Sequence, residues 1–185
     1  MEEEFNPYSV TFDDPYIVTD LDILKTKSLR CGNSVLTPDD SNTVESIIDN
    51  LWKTLDRLNA MGLSAIQIGF PVRIFIMRSK GVDYTCINPE IVFYSTQMMS
   101  ATEGCVSFPH QAATTTRNHT IYVRYKETID GNFVHKTFSD MESVCFQHEL
   151  DHLDGIVMFM RQSNVKKRMW LKKMSKINQK VGIPI

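Results

Sequence analysis

The sequence predicts a single α+β domain, mostly antiparallel sheets packed around a central helix that carries His148-Glu149-Leu150-Asp151-His152. Three observations predict it. Apolar residues recur at three- and four-residue steps over 44–58, and again over 141–152, as they do in helices with one buried face. Between those stretches lie runs rich in β-branched and aromatic residues, separated by turn signals. At 185 residues, 42% hydrophobic and 23% charged, the chain is long enough for one core, short for two, and ordinary in composition for a globular protein.

Residues 1–40 are polar and punctuated by Pro7, Pro15 and Pro38, and read as extended segments and loops around a short helix near Leu21–Leu24. Val44, Ile47, Ile48, Leu51, Leu55 and Leu58 then share one helical face, with Asp40, Ser41 and Asn42 as candidate caps and Gly62 as the stop. Residues 72–77 (VRIFIM), 84–95 (YTCINPEIVFYS) and 120–126 (TIYVRYK) read as strands, and FVHKTF follows the hairpin signal Asp130-Gly131. Ser139 and Glu142 have capping-box spacing at the start of the central helix, and Gly155 ends it. Met141, Val144, Cys145, His148 and His152 make one stripe, which puts both histidines on the buried face.

Two histidines at i and i+4 project side by side and can chelate one ion. The intervening Glu149 sits about 100° round the helix, placed to act on water at the ion. That is the hydrolase logic of HExxH. A third ligand cannot follow, because residues 155–185 contain no Asp, Glu, His or Cys, and Asp154 is too near His152 to fold back. The common zinc-protease arrangements, with their downstream ligand, are thereby excluded. Upstream, Cys31, Cys86, Cys105, Cys145, His110, His119 and His135 all remain candidates. The cysteines show no CxxC pairing and no secretion signal precedes them, so free thiols are expected.

The chain resembles the peptide deformylases, which share three separated motifs. Here these are Gly62-Leu63-Ser64-Ala65-Ile66-Gln67 after Ala60-Met61, Glu103-Gly104-Cys105-Val106-Ser107, and Gln147-His148-Glu149-Leu150-Asp151-His152-Leu153-Asp154-Gly155. Order and spacing match over roughly residues 20–160. The resemblance implies that Cys105, His148 and His152 bind one divalent ion, natively ferrous iron, although a Cys/His₂ set also suits zinc, nickel or cobalt. It implies that Glu149 is the general base in removing the formyl group from N-formylmethionyl peptides, and that the Gln67 amide and the Val106 N–H steady the oxyanion. Met61, Gly62, Val144 and Cys145 are expected to form the substrate site, Gly62 letting the substrate backbone approach. Glu103 and Arg117 are expected to pair behind it. Ala60, Ser64 and Val106 stand where the family usually has Gly, Ala and Leu. His110, and Ser143 to Phe146, also depart from its pattern. These bear on subsites and ion pairing, not on the metal or the base. Another metal-dependent amidase, or an inactive binding module, is the competing reading.

Net charge is −2, yet residues 161–185 carry eight Lys or Arg and no acid, leaving the first 160 with a formal −10. The expected division is therefore a catalytic domain over 1–160 and a partly helical basic tail over 161–185. Residues 165, 169, 174, 177 and 181 are its apolar stripe. The tail would pack on the acidic domain or, as in many bacterial deformylases, dock on the ribosome. No apolar run approaches the roughly 20 residues of a membrane span, and MEEEFNPY resembles neither a secretory signal nor a transit peptide. A cytoplasmic monomer without a membrane partner is expected.

Overall fold

The structure is a computed structural model that describes residues 17–32, 43–109 and 111–181. Strands β1 (Gly62–Ser64), β2 (Ile74–Ser79), β3 (Val82–Tyr94), β6 (Thr120–Lys126) and β7 (Phe133–Ser139) form an antiparallel sheet in the order β1-β2-β3-β6-β7. Strands β4 (Met98–Gly104) and β5 (Ala112–Asn118) form a separate antiparallel ribbon. Helix α1 (Leu21–Leu24) precedes them, α2 (Val44–Leu58) covers part of the sheet, α3 (Asp140–Leu153) lies between sheet and ribbon, and α4 (Asn164–Val181) ends the chain.

Alternation along β2 explains the layering. Ile74 and Ile76 turn toward α2, where they meet Ile47, Leu51 and Leu55 in one core cluster. Phe75 and Met77 turn the other way and join Ile121, Val123, Phe138, Phe146 and Leu153 beneath α3. Because both faces are buried, the strand reads as a continuous apolar run. A third cluster holds α4 to the ribbon side: Trp170 stacks on Phe159 with ring centroids 3.9 Å apart and meets the Phe108 edge at 5.1 Å.

Several local expectations change. The candidate caps Asp40–Asn42 lie outside the described residues, and Thr43 is the cap of α2, its hydroxyl accepting from Ser46 N at 3.2 Å. That helix ends at Asn59 in the left-handed conformation, before Gly62, which instead opens β1. The Ser139 capping box does not form. Ser139 Oγ pairs with Thr120 Oγ1 at 3.0 Å, and Glu142 faces Lys80 at 3.3 Å. Asp140, at φ +55°, turns the chain into α3, held by its N–H to His119 O (3.0 Å) and its carboxylate to His119 Nε2 (2.8 Å). Gly155 does stop α3, at φ +72°.

The tail forms α4, with a phase that differs from the expected apolar stripe. Val165 and Met169 are 60% and 67% exposed, while Trp170 is buried and Met174 packs beside it. Side chains at 177 and 181 lie outside the described set. Among the described residues no helix is long and apolar enough to cross a membrane. Truncating Trp170 to Ala should cost about 3–5 kcal/mol and free α4 from the domain. Urea unfolding and limited proteolysis after Arg161 would check this.

Candidate active site

Each of the three motifs supplies one wall. Beyond β1, a 3₁₀ turn (Ala65–Ile68) carries Gln67 inward; β4 delivers Glu103 and ends beside Cys105; α3 brings His148, Glu149 and His152. Ligand atoms of Cys105, His148 and His152 all lie within 4.8 Å of one another, and all three residues are buried. Cys105 Sγ is 3.3 Å from His152 Nε2, which is 3.2 Å from His148 Nε2. Two imidazole nitrogens and a thiol facing one point crowd lone pairs together, and one cation at that point would satisfy all three. The donor set thus fits a single divalent ion.

His148 is oriented from behind. Its Nδ1 donates to Glu103 Oε2 at 2.8 Å, so Nε2 is the atom turned to the cluster. Glu103 is 5% exposed and keeps its charge because Arg117 grips both oxygens, Nε to Oε1 at 2.6 Å and Nη2 to Oε2 at 2.8 Å. Thr115 Oγ1 donates as well. Although burial opposes ionisation, Arg117 and His148 hold this carboxyl well below the usual range. His148 is raised above an ordinary imidazole by Cys105 and Glu103 against its burial, while burial and His148 lower His152.

Glu149 behaves oppositely to Glu103. Burial pushes its carboxyl up to about 7, and its Oε2 has no hydrogen-bond partner. Gln67 is clamped at both ends. Its Oε1 accepts from Ser64 N and Ser64 Oγ, each at 2.9 Å, and its Nε2 points to Cys105 Sγ (3.3 Å) and Ser107 Oγ (3.2 Å). A hydroxyl at position 64 therefore helps aim the amide toward Cys105.

A pocket of about 70 Å³ opens between β1 and β4, lined by Met61, Gly62, Gln67, Cys105, Val106, Val144, Cys145, His148 and Glu149. A family model described as polypeptide deformylase matches residues 18–168. The chain belongs to the polypeptide deformylase family. A peptide deformylase of Rhodopseudomonas palustris (strain TIE-1) is 33% identical over 161 residues, covering 83% of this chain and 91% of that protein. The crystal structure of a plant peptide deformylase superposes with TM-score 0.75 at 27% identity, over 95% of this chain and 97% of its own. A Met-Ala-Ser-bound deformylase from Acinetobacter baumannii gives 0.68 at 28% identity, over 76% and 92%. Like those relatives the chain is a deformylase, a hydrolase.

The fold brings every sequence-nominated residue to this pocket except His152, which lies just behind it against Cys105 and His148. The other upstream ligand candidates go elsewhere. Cys31 and Cys86 are buried in separate clusters, His119 pairs with Asp140, His135 stacks on Tyr122, and His110 lies outside the described residues. All four cysteines are free thiols. Sequence reasoning missed Ala60, Thr102 and Met141 in the pocket lining, and Asp151 and Arg161 behind it. Asp151 had a faint signal, three residues after His148 on the same helix. Gly62 has a steric reason of its own. A Cβ there would stand 2.6 Å from Glu149 Oε1 and 2.9 Å from Cys145 Sγ, so the glycine makes room for α3. Gly62→Ala should therefore lower kcat at least about tenfold by displacing Glu149, an estimate from the sensitivity of catalysis to small misplacements, with metal content unchanged by elemental analysis.

Proposed function

We propose that Cys105, His148 and His152 hold one divalent ion, ferrous iron in the native protein, and that Glu149 is the base that removes formyl groups from N-formylmethionyl peptides. The observation that carries this is the convergence of three ligand atoms beside the buried Glu149 carboxyl, whose Oε2 has no hydrogen-bond partner and which burial pushes up to about 7. When bound, the ion supplies a Lewis acid that acidifies water and polarises the formyl carbonyl.

The chain's own groups account for the rest. Glu149 accepts the proton of the attacking water and returns it to the leaving amine, for which a pKa near the working pH is suited. Gln67 Nε2, already aimed at Cys105, and the Val106 N–H donate to the developing oxyanion. Met61, Val144 and Cys145 receive the methionine side chain. The pocket between β1 and β4 receives the substrate's N-terminal end. Formate and a peptide with a free N-terminal Met are released. Iron rests on the family resemblance; the ligand set accommodates zinc, nickel or cobalt equally.

Anaerobically purified, iron-loaded protein should release formate from a formyl-Met tripeptide and leave the acetyl-Met analogue intact. Equal cleavage of both would indicate a broader amidase. Glu149→Ala should retain the metal and lose about 10²–10⁴-fold in kcat; substantial residual turnover would remove the base assignment.

Residues 1–160 are read as the catalytic domain and 161–185 as its tail, in a cytoplasmic monomer. Lys166, Arg168, Lys172, Lys173 and Lys176 of α4 are exposed while Trp170 faces inward. This supports a helix that packs by one face and offers the other to ribosomal RNA. The protein should co-sediment with ribosomes at low salt and be released as salt rises, and deleting residues 164–185 should abolish binding.

A further inference from the structure

We infer that Arg161 is a positioning residue for His148, acting through an alternating chain of charges made by Asp151, Arg117 and Glu103. The inference rests on the metal reading of Cys105, His148 and His152. Arg161 Nε donates to Asp151 Oδ2 at 2.9 Å and its Nη2 to Oδ1, so the guanidinium grips both carboxylate oxygens. Arg117 Nη1 donates to the same Oδ2 at 2.5 Å, while its Nε and Nη2 hold Glu103. Glu103 in turn takes the Nδ1 proton of His148.

Arg117 thus stands between two buried carboxylates with one positive charge to share. Buried charges need full partnership. Arg161 brings the set to neutrality and relieves Arg117 of part of Asp151, leaving two of its donors committed to Glu103. Glu103 then stays fixed against His148, and the imidazole keeps its Nε2 on the cluster. The pair differs from an ordinary surface ion pair, worth little by itself. Arg161 is 44% exposed, but Asp151 is only 8% exposed at its side chain. Arg161 also closes the 3₁₀ turn Met158–Arg161, whose Phe159 stacks on Trp170, so its reach to Asp151 is set by packing.

The test uses cobalt(II) as a spectroscopic probe in the full-length protein, Arg161→Met, Arg161→Lys, Asp151→Asn and the Asp151→Asn/Arg161→Met double variant. Thiolate charge-transfer and d–d bands, the rate of cobalt loss to a chelator, and kcat and KM are measured, with thermal unfolding alongside. Arg161→Met should shift the d–d bands, speed cobalt loss and lower kcat by roughly tenfold, within the range for residues that orient metal ligands, with KM unchanged. Arg161→Lys should recover most of each effect. In the Asp151→Asn background, Arg161→Met should add almost nothing. A parent-like spectrum and release rate in Arg161→Met, or an undiminished effect in the Asp151→Asn background, would show that Arg161 only pins its turn. A parent protein without any thiolate–cobalt band would instead overturn the metal reading, and this inference with it.

Discussion

Glu103 is a carboxylate almost without contact with water, and the parts of the molecule meet on it. It belongs to β4, its cation Arg117 and its hydroxyl partner Thr115 to β5, and the imidazole it orients to α3. Removing a charge from water costs several kcal/mol unless other groups replace the lost solvation. Here Arg117 and Thr115 supply donors from within the ribbon, and His148 adds one that exists only once α3 is docked, as does the Arg117–Asp151 pair. The ribbon is therefore held to α3 by satisfied charge as much as by apolar contact, and the pocket between β1 and β4 exists because that ribbon forms its own layer.

The same constraint explains which elements hydrophobic pattern could reveal. Helix α2 and strands β2, β3, β6 and β7 bury Ile, Val, Phe and Tyr, so their periods are written in apolar residues. The ribbon alternates just as strictly, but its buried positions are Ala101, Glu103, Ala113, Thr115 and Arg117. A strand whose inner face is polar leaves no apolar alternation to read. Helix α3 is intermediate: Met141, Val144 and Cys145 give its stripe a readable apolar start, while its buried residues also include Gln147, His148, Glu149 and Asp151. Ser139 misled for another reason: its hydroxyl had the spacing of a cap, and tertiary structure gave it Thr120 as partner.

Legibility within the site follows distance along the chain. His148, Glu149 and His152 lie in five residues, and helical geometry alone places the two imidazoles where they can chelate one ion, with the carboxylate beside them. The pairing of Glu103 with Arg117 joins a motif residue to one that lies in none of the three motifs. Cys105 had no local signature distinguishing it from six other candidates, and only the joint register of three motifs singled it out. Asp151 and Arg161 show their partnership only after α3 has turned back through the Met158–Arg161 segment.

Arg161 also changes how the C-terminal tail is understood. Composition places a boundary there, because acids stop and cations continue to the end of the chain. Yet the first cation of that run serves the acidic domain, completing the charge of Asp151, while Lys166, Arg168, Lys172, Lys173 and Lys176 of α4 face outward. Between them Trp170 fixes the helix against Phe108 and Phe159, and Phe108 lies three residues beyond Cys105. The tail is thus tied to the Cys105–His148–His152 cluster by two routes, one electrostatic through Asp151 and one apolar through Phe108.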